Sequence, residues 1–188
     1  MPLLRDEEKY LKSLGYKYLG EGSFQMAFKE PGTGYCYKVA EKDKGFNAFL
    51  TATQKIKSIH LPKVYEVNEF RFPDRRSIKM VQYRTEFLHK DKDIGLASRI
   101  IDQIRNYLKY GYQNEYIETL ISRDFNRKDL RAVSRLFKIG DMANLIRDLL
   151  KFSKRRDVFI DIHDGNFMVR KVDNKKQIVF IDPFASEW

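Results

Sequence analysis

The chain has 188 residues, of which 43% are hydrophobic and 14% aromatic, so it can bury a substantial core and does not read as a disordered segment. Its one cysteine, Cys36, excludes an internal disulfide framework and a cysteine-based zinc site, and His60, His89 and His163 lie too far apart for metal-ligand spacing. Lys and Arg number 36 against 26 Asp and Glu, and the resulting charge of +10 favours acidic partners: phosphates, nucleotides, nucleic acid or an acidic protein face. No apolar run reaches the roughly 18 residues of a membrane span, and the acidic N-terminus lacks a signal-type apolar core. A cytoplasmic setting away from membranes is therefore expected.

The elements follow in order. Residues 6–14 are predicted as a short helix with Asp6 as its cap and Gly15 beyond its end. Tyr16 to Phe28 is β-rich and carries Gly20 and Gly22. Pro31-Gly32-Thr33-Gly34 is a turn, and Tyr35 to Ala40 the returning strand. Phe46, Phe49, Leu50, Thr53 and Ile56 fall at helical spacing and predict a helix over 46–59. Val64 to Phe72 and Ile78 to Tyr83 read as strands joined by a turn at Pro73-Asp74.

From about Asp91 the period is helical. Ala97, Ile100, Ile101, Ile104 and Leu108 mark one long amphipathic helix, and 114–123 a shorter one. Asn126 is expected to cap a helix carrying Leu130, Val133 and Phe137 that Gly140 ends. Asp141 is expected to cap the next, with Leu145, Ile146, Leu149 and Leu150 inward. Val158–Ile160, Phe167–Arg170 and Gln177–Ile181 return to strand, with Asn174 in a hairpin turn. The class is α+β, with a β-rich part over residues 1–87 and a helical part over 88–188.

Three features carry chemistry. Leu19-Gly20-Glu21-Gly22-Ser23-Phe24 lies between strands, and its two glycines let main-chain N–H groups approach a polyphosphate. Lys38, inside the following strand, can reach inward to a phosphate. Asp161-Ile162-His163-Asp164-Gly165-Asn166 is followed sixteen residues after Asn166 by Asp182, and Asp161 and Asp182 each directly follow an apolar β-like segment. Asn166 and Asp182 offer hard oxygen ligands of the kind magnesium takes, and Asp161 remains to orient a hydroxyl and accept its proton. Glycine pair, strand lysine, Asp-x-x-x-x-Asn, hairpin and Asp is the order that phosphoryl transfer from ATP requires: phosphates held by the 20–24 loop and Lys38, metal by Asn166 and Asp182.

With these motifs the chain resembles the protein-kinase-like family, from residue 19 to 183. Gly20-x-Gly22, with Ser23 and Phe24, resembles the Gly-rich loop. Lys38 resembles the phosphate-contacting lysine, and Asp161 and Asn166 have the spacing of the catalytic loop. The wording Asp-Ile-His-Asp-Gly-Asn is similar to the Asp-Leu-His-x-Gly-Asn of aminoglycoside- and choline-type phosphotransferases. A tighter resemblance is to the small early-gene serine/threonine kinases of podovirus-type bacteriophages. It rests on Leu19–Phe24, Leu61-Pro62-Lys63-Val64-Tyr65-Glu66-Val67, Phe159–Asn166 and Ile181-Asp182-Pro183.

The resemblance implies a two-lobe kinase-like fold, with residues 1–87 as nucleotide-binding lobe and 88–188 as a truncated helical second lobe. It also implies ATP and Mg2+ as cofactors and a host protein as substrate, in the host cytoplasm if phage-encoded. His163 then occupies the place of the catalytic-loop lysine, Phe159 that of the His of His-Arg-Asp, and Gln54 is the nearest candidate partner for Lys38. With six residues given after Asp182, no activation segment is expected.

These departures keep other functions open: a catalytically weak pseudokinase that inhibits a host enzyme by binding, a small-molecule phosphotransferase, or a nucleotidyl transferase acting on protein. The basic clusters Lys154-Arg155-Arg156 and Arg123, Arg127, Lys128, Arg131 and Arg135 suit an acidic partner, a nucleic-acid enzyme or nucleic acid itself. A basic nucleic-acid-binding module is the alternative outside this chemistry.

Overall fold

The computed structural model describes residues 5–21, 25–72 and 75–185. The α+β class holds, and the chain divides into two compact units. The first combines Met1–Asn47 with Lys63–Phe87, the second Ala48–Pro62 with Leu88–Trp188. No helix among the described residues is long and apolar enough to cross a membrane.

The first unit carries helix α1 (Arg5–Ser13) and the antiparallel strands β1 (Lys17–Glu21), β2 (Gln25–Lys29), β3 (Tyr35–Glu41), β4 (Val64–Phe72) and β5 (Arg75–Glu86), in spatial order β1-β2-β3-β5-β4. Alternation along β3 sends its side chains to two faces. On one, Val39 joins Leu11, Met26, Phe28 and Met80 in a buried cluster bordered by Tyr16, Tyr18, Tyr37 and Phe70. On the other, Cys36, Lys38 and Ala40 are buried, and Lys38 stands opposite Ala27 of β2 and Tyr83 of β5. Between β1 and β2 the register slips at Leu19, so Tyr18 pairs with Phe28 and Gly20 with Ala27. Gly20 accommodates the irregularity with φ +151°, a value that side-chain-bearing residues rarely adopt.

Helix α2 (Lys44–Lys55) opens on Asp43, whose Oδ1 accepts from the Phe46 N–H at 2.7 Å. It stops short of the predicted residue 59 because the following segment finds other hydrogen-bond partners. The His60 carbonyl accepts from Phe180 N at 2.8 Å, and Arg170 donates to the carbonyls of Ile59 (2.6 Å) and Leu61 (3.0 Å).

The rest of the second unit consists of α3 (Ile94–Lys109), α4 (Asn114–Asp124), α5 (Arg127–Val133), α6 (Ile139–Arg156) and two antiparallel pairs. These are β6 (Phe159–Ile160) with β9 (Phe184–Ala185), and β7 (Phe167–Val172) with β8 (Lys175–Phe180). α3 and α4 pack on α6, where Ile100, Ile101, Ile104, Ile117, Ile121, Met142, Ile146 and Leu149 are fully buried. Each such side chain contributes about 1.5–3 kcal/mol of hydrophobic stabilisation.

Three boundaries correct the sequence reading. Gly140 lies inside the first turn of α6 rather than ending α5, which closes at Ser134. The intervening Leu136 carbonyl instead accepts from Ile178 N at 3.0 Å. Asp141 consequently sits in the first turn of α6, with Lys138 at the cap position, where no side chain bonds the helix end. Asp6 likewise lies within α1 rather than before it. The β7–β8 hairpin turns on Asp173 (φ 47°) and Asn174 (φ 61°), the two-residue geometry with both centres left-handed, as the Asn174 turn predicts.

Candidate active site

In the first unit, the side chain of Lys38 is buried at 8% exposure, and its Nζ lies 5.9 Å from the centre of the Tyr83 ring. Tyr83 is fixed in turn by Gln25, whose Oε1 accepts from the phenol at 3.2 Å, and by the Phe46 ring at 5.1 Å. Among the described residues no carboxylate of this unit is ion-paired with Lys38. A buried ammonium facing a ring, with no paired carboxylate among the described residues of its unit, is a ready partner for an anion. Cys36, on the same strand face, is buried, and burial pushes its thiol pKa up against the opposing pull of the Lys38 charge. Gly20 sits at the β1 irregularity just described. Gly22, Ser23 and Phe24 lie outside the described residues.

In the second unit, β6 ends at Ile160 and delivers Asp161 beside the strand that returns from Asp182. Phe159 pairs with Ala185 and Ile160 with Phe184, and Asp161 N donates to the Pro183 carbonyl at 3.1 Å. The Ile181 N–H donates to the Asn166 carbonyl at 2.8 Å. Asp182 is thus flanked on both sides by main-chain bonds to the 161–166 loop, one from each end.

Within that loop the Asn166 amide is oriented without ambiguity. Its Nδ2 donates to the Asp161 carbonyl and to Asp161 Oδ2, each at 3.0 Å, so Nδ2 faces two acceptors and Oδ1 is turned away from them. His163 Nε2 lies 3.4 Å from Asp161 Oδ2, and its Nδ1 accepts from Gly165 N at 3.1 Å. The structure therefore brings together Asp161, His163 and Asn166, with Asp182 bracketed beside them.

From behind, α3 packs against the turn Asp164–Asn166 and against β7, and Arg105 of α3 donates to the Ile160 carbonyl at 3.4 Å. Arg105 supports the loop and was not singled out by sequence reasoning, whereas Gly165 and Pro183 stood in the quoted motifs without a role.

The donor set suits a magnesium ion sharing a polyphosphate. Asn166 Oδ1 is the one amide oxygen not turned to Asp161, and Asp182 supplies a carboxylate. Among the described residues no cluster of three or more His, Cys, Asp or Glu side chains could cage a metal alone. One or two protein oxygens, completed by phosphate and water, is the usual magnesium arrangement. Phe159 is half-exposed at 47%, two residues before Asp161. The basic side chains of Arg123, Arg127, Lys128, Arg131, Arg135, Lys154, Arg155 and Arg156 are all exposed.

No family model matches the chain, and no curated protein sequence does so. Among solved structures, the chain is similar to two thermostable mutants of aminoglycoside phosphotransferase APH(4)-Ia, each crystallised as a ternary complex with AMP-PNP and hygromycin B. The first has 16% identity over 54% of this chain and 38% of that one, with a TM-score of 0.34. The second has 18% identity over 53% and 35%, with a TM-score of 0.33. A further structure of APH(4)-Ia matches 94% of this chain and 70% of that one at 11% identity and TM-score 0.37. The chain thus spans little more than a third of the first two relatives, and likeness of this size assigns neither fold nor activity.

Proposed function

We propose that the chain is an ATP- and magnesium-dependent phosphotransferase of the protein-kinase-like type, with a protein serine or threonine hydroxyl as acceptor. The observation that carries this reading is the joint anchoring of Asp161, Asn166 and Asp182. One amide of Asn166 holds two oxygens of Asp161, and the main chain on either side of Asp182 is bonded to the same loop. Buried Lys38, unpaired within its unit, supports the phosphate-binding part of the reading.

In this reading Asp161 accepts a hydrogen bond from the acceptor hydroxyl, aims its lone pair at the γ-phosphorus and takes the proton as the oxygen–phosphorus bond forms and the bond to the ADP oxygen breaks. Asn166 fixes the rotamer of Asp161, and Lys38 binds a phosphate of the nucleotide. When bound, magnesium would be held by Asn166 Oδ1 and Asp182 and would neutralise phosphate charge. The setting this implies is modification of host proteins in an infected bacterial cell. A small-molecule alcohol is the second reading of the acceptor, favoured by the Asp161-Ile162-His163-Asp164-Gly165-Asn166 wording.

The test is intact mass after incubating the protein and a bacterial lysate fraction with magnesium and ATP, beside an Asp161→Ala control. A phosphate-sized addition to a protein that is absent from the control supports the kinase reading. An AMP-sized addition replaces it with nucleotidyl transfer. Labelling of a small alcohol alone supports the second reading. No addition anywhere turns the weight to a non-catalytic binder of a host enzyme.

A further inference from the structure

Both nitrogens of the His163 imidazole are engaged inside its own loop. Nδ1 accepts from the Gly165 main-chain N–H at 3.1 Å, so Nδ1 is unprotonated and the neutral ring carries its hydrogen on Nε2. That Nε2 faces Asp161 Oδ2 at 3.4 Å, the same oxygen that accepts from Asn166 Nδ2 at 3.0 Å. Oδ2 is thereby approached from two sides, and these contacts leave Oδ1 to meet an acceptor hydroxyl.

Gly165 completes the device. It is not among the glycines with left-handed φ, so its backbone would accept alanine. A Cβ there, however, would stand 2.8 Å from His163 Cε1 and 2.9 Å from Nδ1. The glycine is required by the imidazole, not by the chain path.

The geometry points to His163 as a positioning residue: a neutral imidazole, keyed by the Gly165 N–H, that aims the Asp161 carboxylate rather than serving as the cationic phosphate contact its place in the loop would imply. This rests on the phosphotransferase reading above. It makes His163 and Gly165 one functional pair and explains why both occur within a six-residue loop.

The test uses His163→Ala, His163→Gln, Gly165→Ala and the Ala/Ala double variant, with Asp161→Ala alongside. Turnover is read as ADP release with dephosphorylated casein as a generic hydroxyl donor, and MgATP affinity by calorimetry. The 15N shifts of the His163 ring are read in the free protein, assigned by their loss in His163→Ala. The expected ring has unprotonated Nδ1 and protonated Nε2. His163→Ala is expected to lower kcat by about 10–100-fold, the range for losing a group that orients an active-site ligand, with MgATP affinity within about twofold. Gln, which retains an N–H donor on a side chain of similar reach, restores part of the loss. Gly165→Ala reproduces the loss with the imidazole still present, and the double variant is no worse than either single.

A ring protonated on Nδ1 overturns the proposal. So does a weakened MgATP affinity with kcat intact in His163→Ala, or losses that multiply in the double variant. Full turnover in Asp161→Ala would instead defeat the phosphotransferase reading itself, whereas loss there without loss in His163→Ala defeats only the positioning role.

Discussion

His60 Nδ1 lies 2.8 Å from the carbonyl oxygen of Ile178, so the ring donates there and its other nitrogen, Nε2, is buried without a hydrogen-bond partner. The side chain is 2% exposed and rests edge-on against Phe137. Burial, the largest influence, lowers its pKa below the ordinary 6.5, against the opposing effects of the Ile178 carbonyl and Asp141; Arg170 adds to the lowering. Charging the ring would bury an N–H that has nothing to bond.

The sign of the pH dependence follows. Below pH 6.5 the unfolded chain takes up a proton on this histidine that the folded chain resists, so this contribution is complete above pH 6.5 and falls as the pH drops below it. The slope cannot exceed about 1.4 kcal/mol per pH unit for one proton. We expect Tm to fall between pH 7.5 and 5.5, and His60→Leu to flatten that fall. Scanning fluorimetry at three pH values decides it, and an equal slope in the variant would remove His60 from the account.

Arg170 holds the same segment in place. Its guanidinium is buried and donates to the carbonyls of Ile59 and Leu61. Arg170→Met strands these acceptors, each costing about 1–3 kcal/mol when buried unpaired. A loss of about 3 kcal/mol in urea unfolding is expected, with Arg170→Lys recovering only part. A loss below about 0.5 kcal/mol would mean that water takes over both carbonyls.

Lys38 sets stability against binding. A buried ammonium without a counter-charge in its unit is costly to fold, and a methionine of similar length removes that cost. Lys38→Met is expected to leave Tm unchanged or higher while weakening MgATP binding at least about tenfold, read by calorimetry. Lower stability together with unaltered nucleotide affinity would make Lys38 a purely structural residue.

Asp182→Ala is expected to lower turnover at least about 100-fold, about 2.7 kcal/mol of barrier, since pre-organised charge supplies most of the acceleration in phosphoryl transfer. The Asp182 side chain is half-buried, so the folding of the variant is checked alongside. Steady-state ADP release measures the first and scanning fluorimetry the second. Turnover near that of the unaltered protein would remove Asp182 from the site.

The sequence was most legible where local chemistry decides the outcome. The Asn174 turn, the apolar stripe of Ile100, Ile101 and Ile104, and the alternating strand around Lys38 all follow from the period or φ preference of a few residues. It was least legible where distant partners decide. The helix predicted over 46–59 ends early because Arg170 and Phe180, more than a hundred positions on, bond the carbonyls of Ile59, His60 and Leu61. Gly140 reads as a helix end by itself, yet the break comes earlier, where the Leu136 carbonyl bonds Ile178. At the site, the order of Asp161, Asn166 and Asp182 could be read along the chain. The reason for Gly165 could not, because it lies in a contact with the His163 ring.

Cys36 gives the molecule a built-in reporter. It is the chain's only thiol, and it is buried on the strand face of Lys38 with its ionisation suppressed. An alkylating reagent needs both access and thiolate, so labelling of the native protein must wait for a local opening of this sheet. The rate of single-site alkylation therefore times the breathing of the sheet that carries Lys38, with no label to engineer and no second thiol to confuse the count.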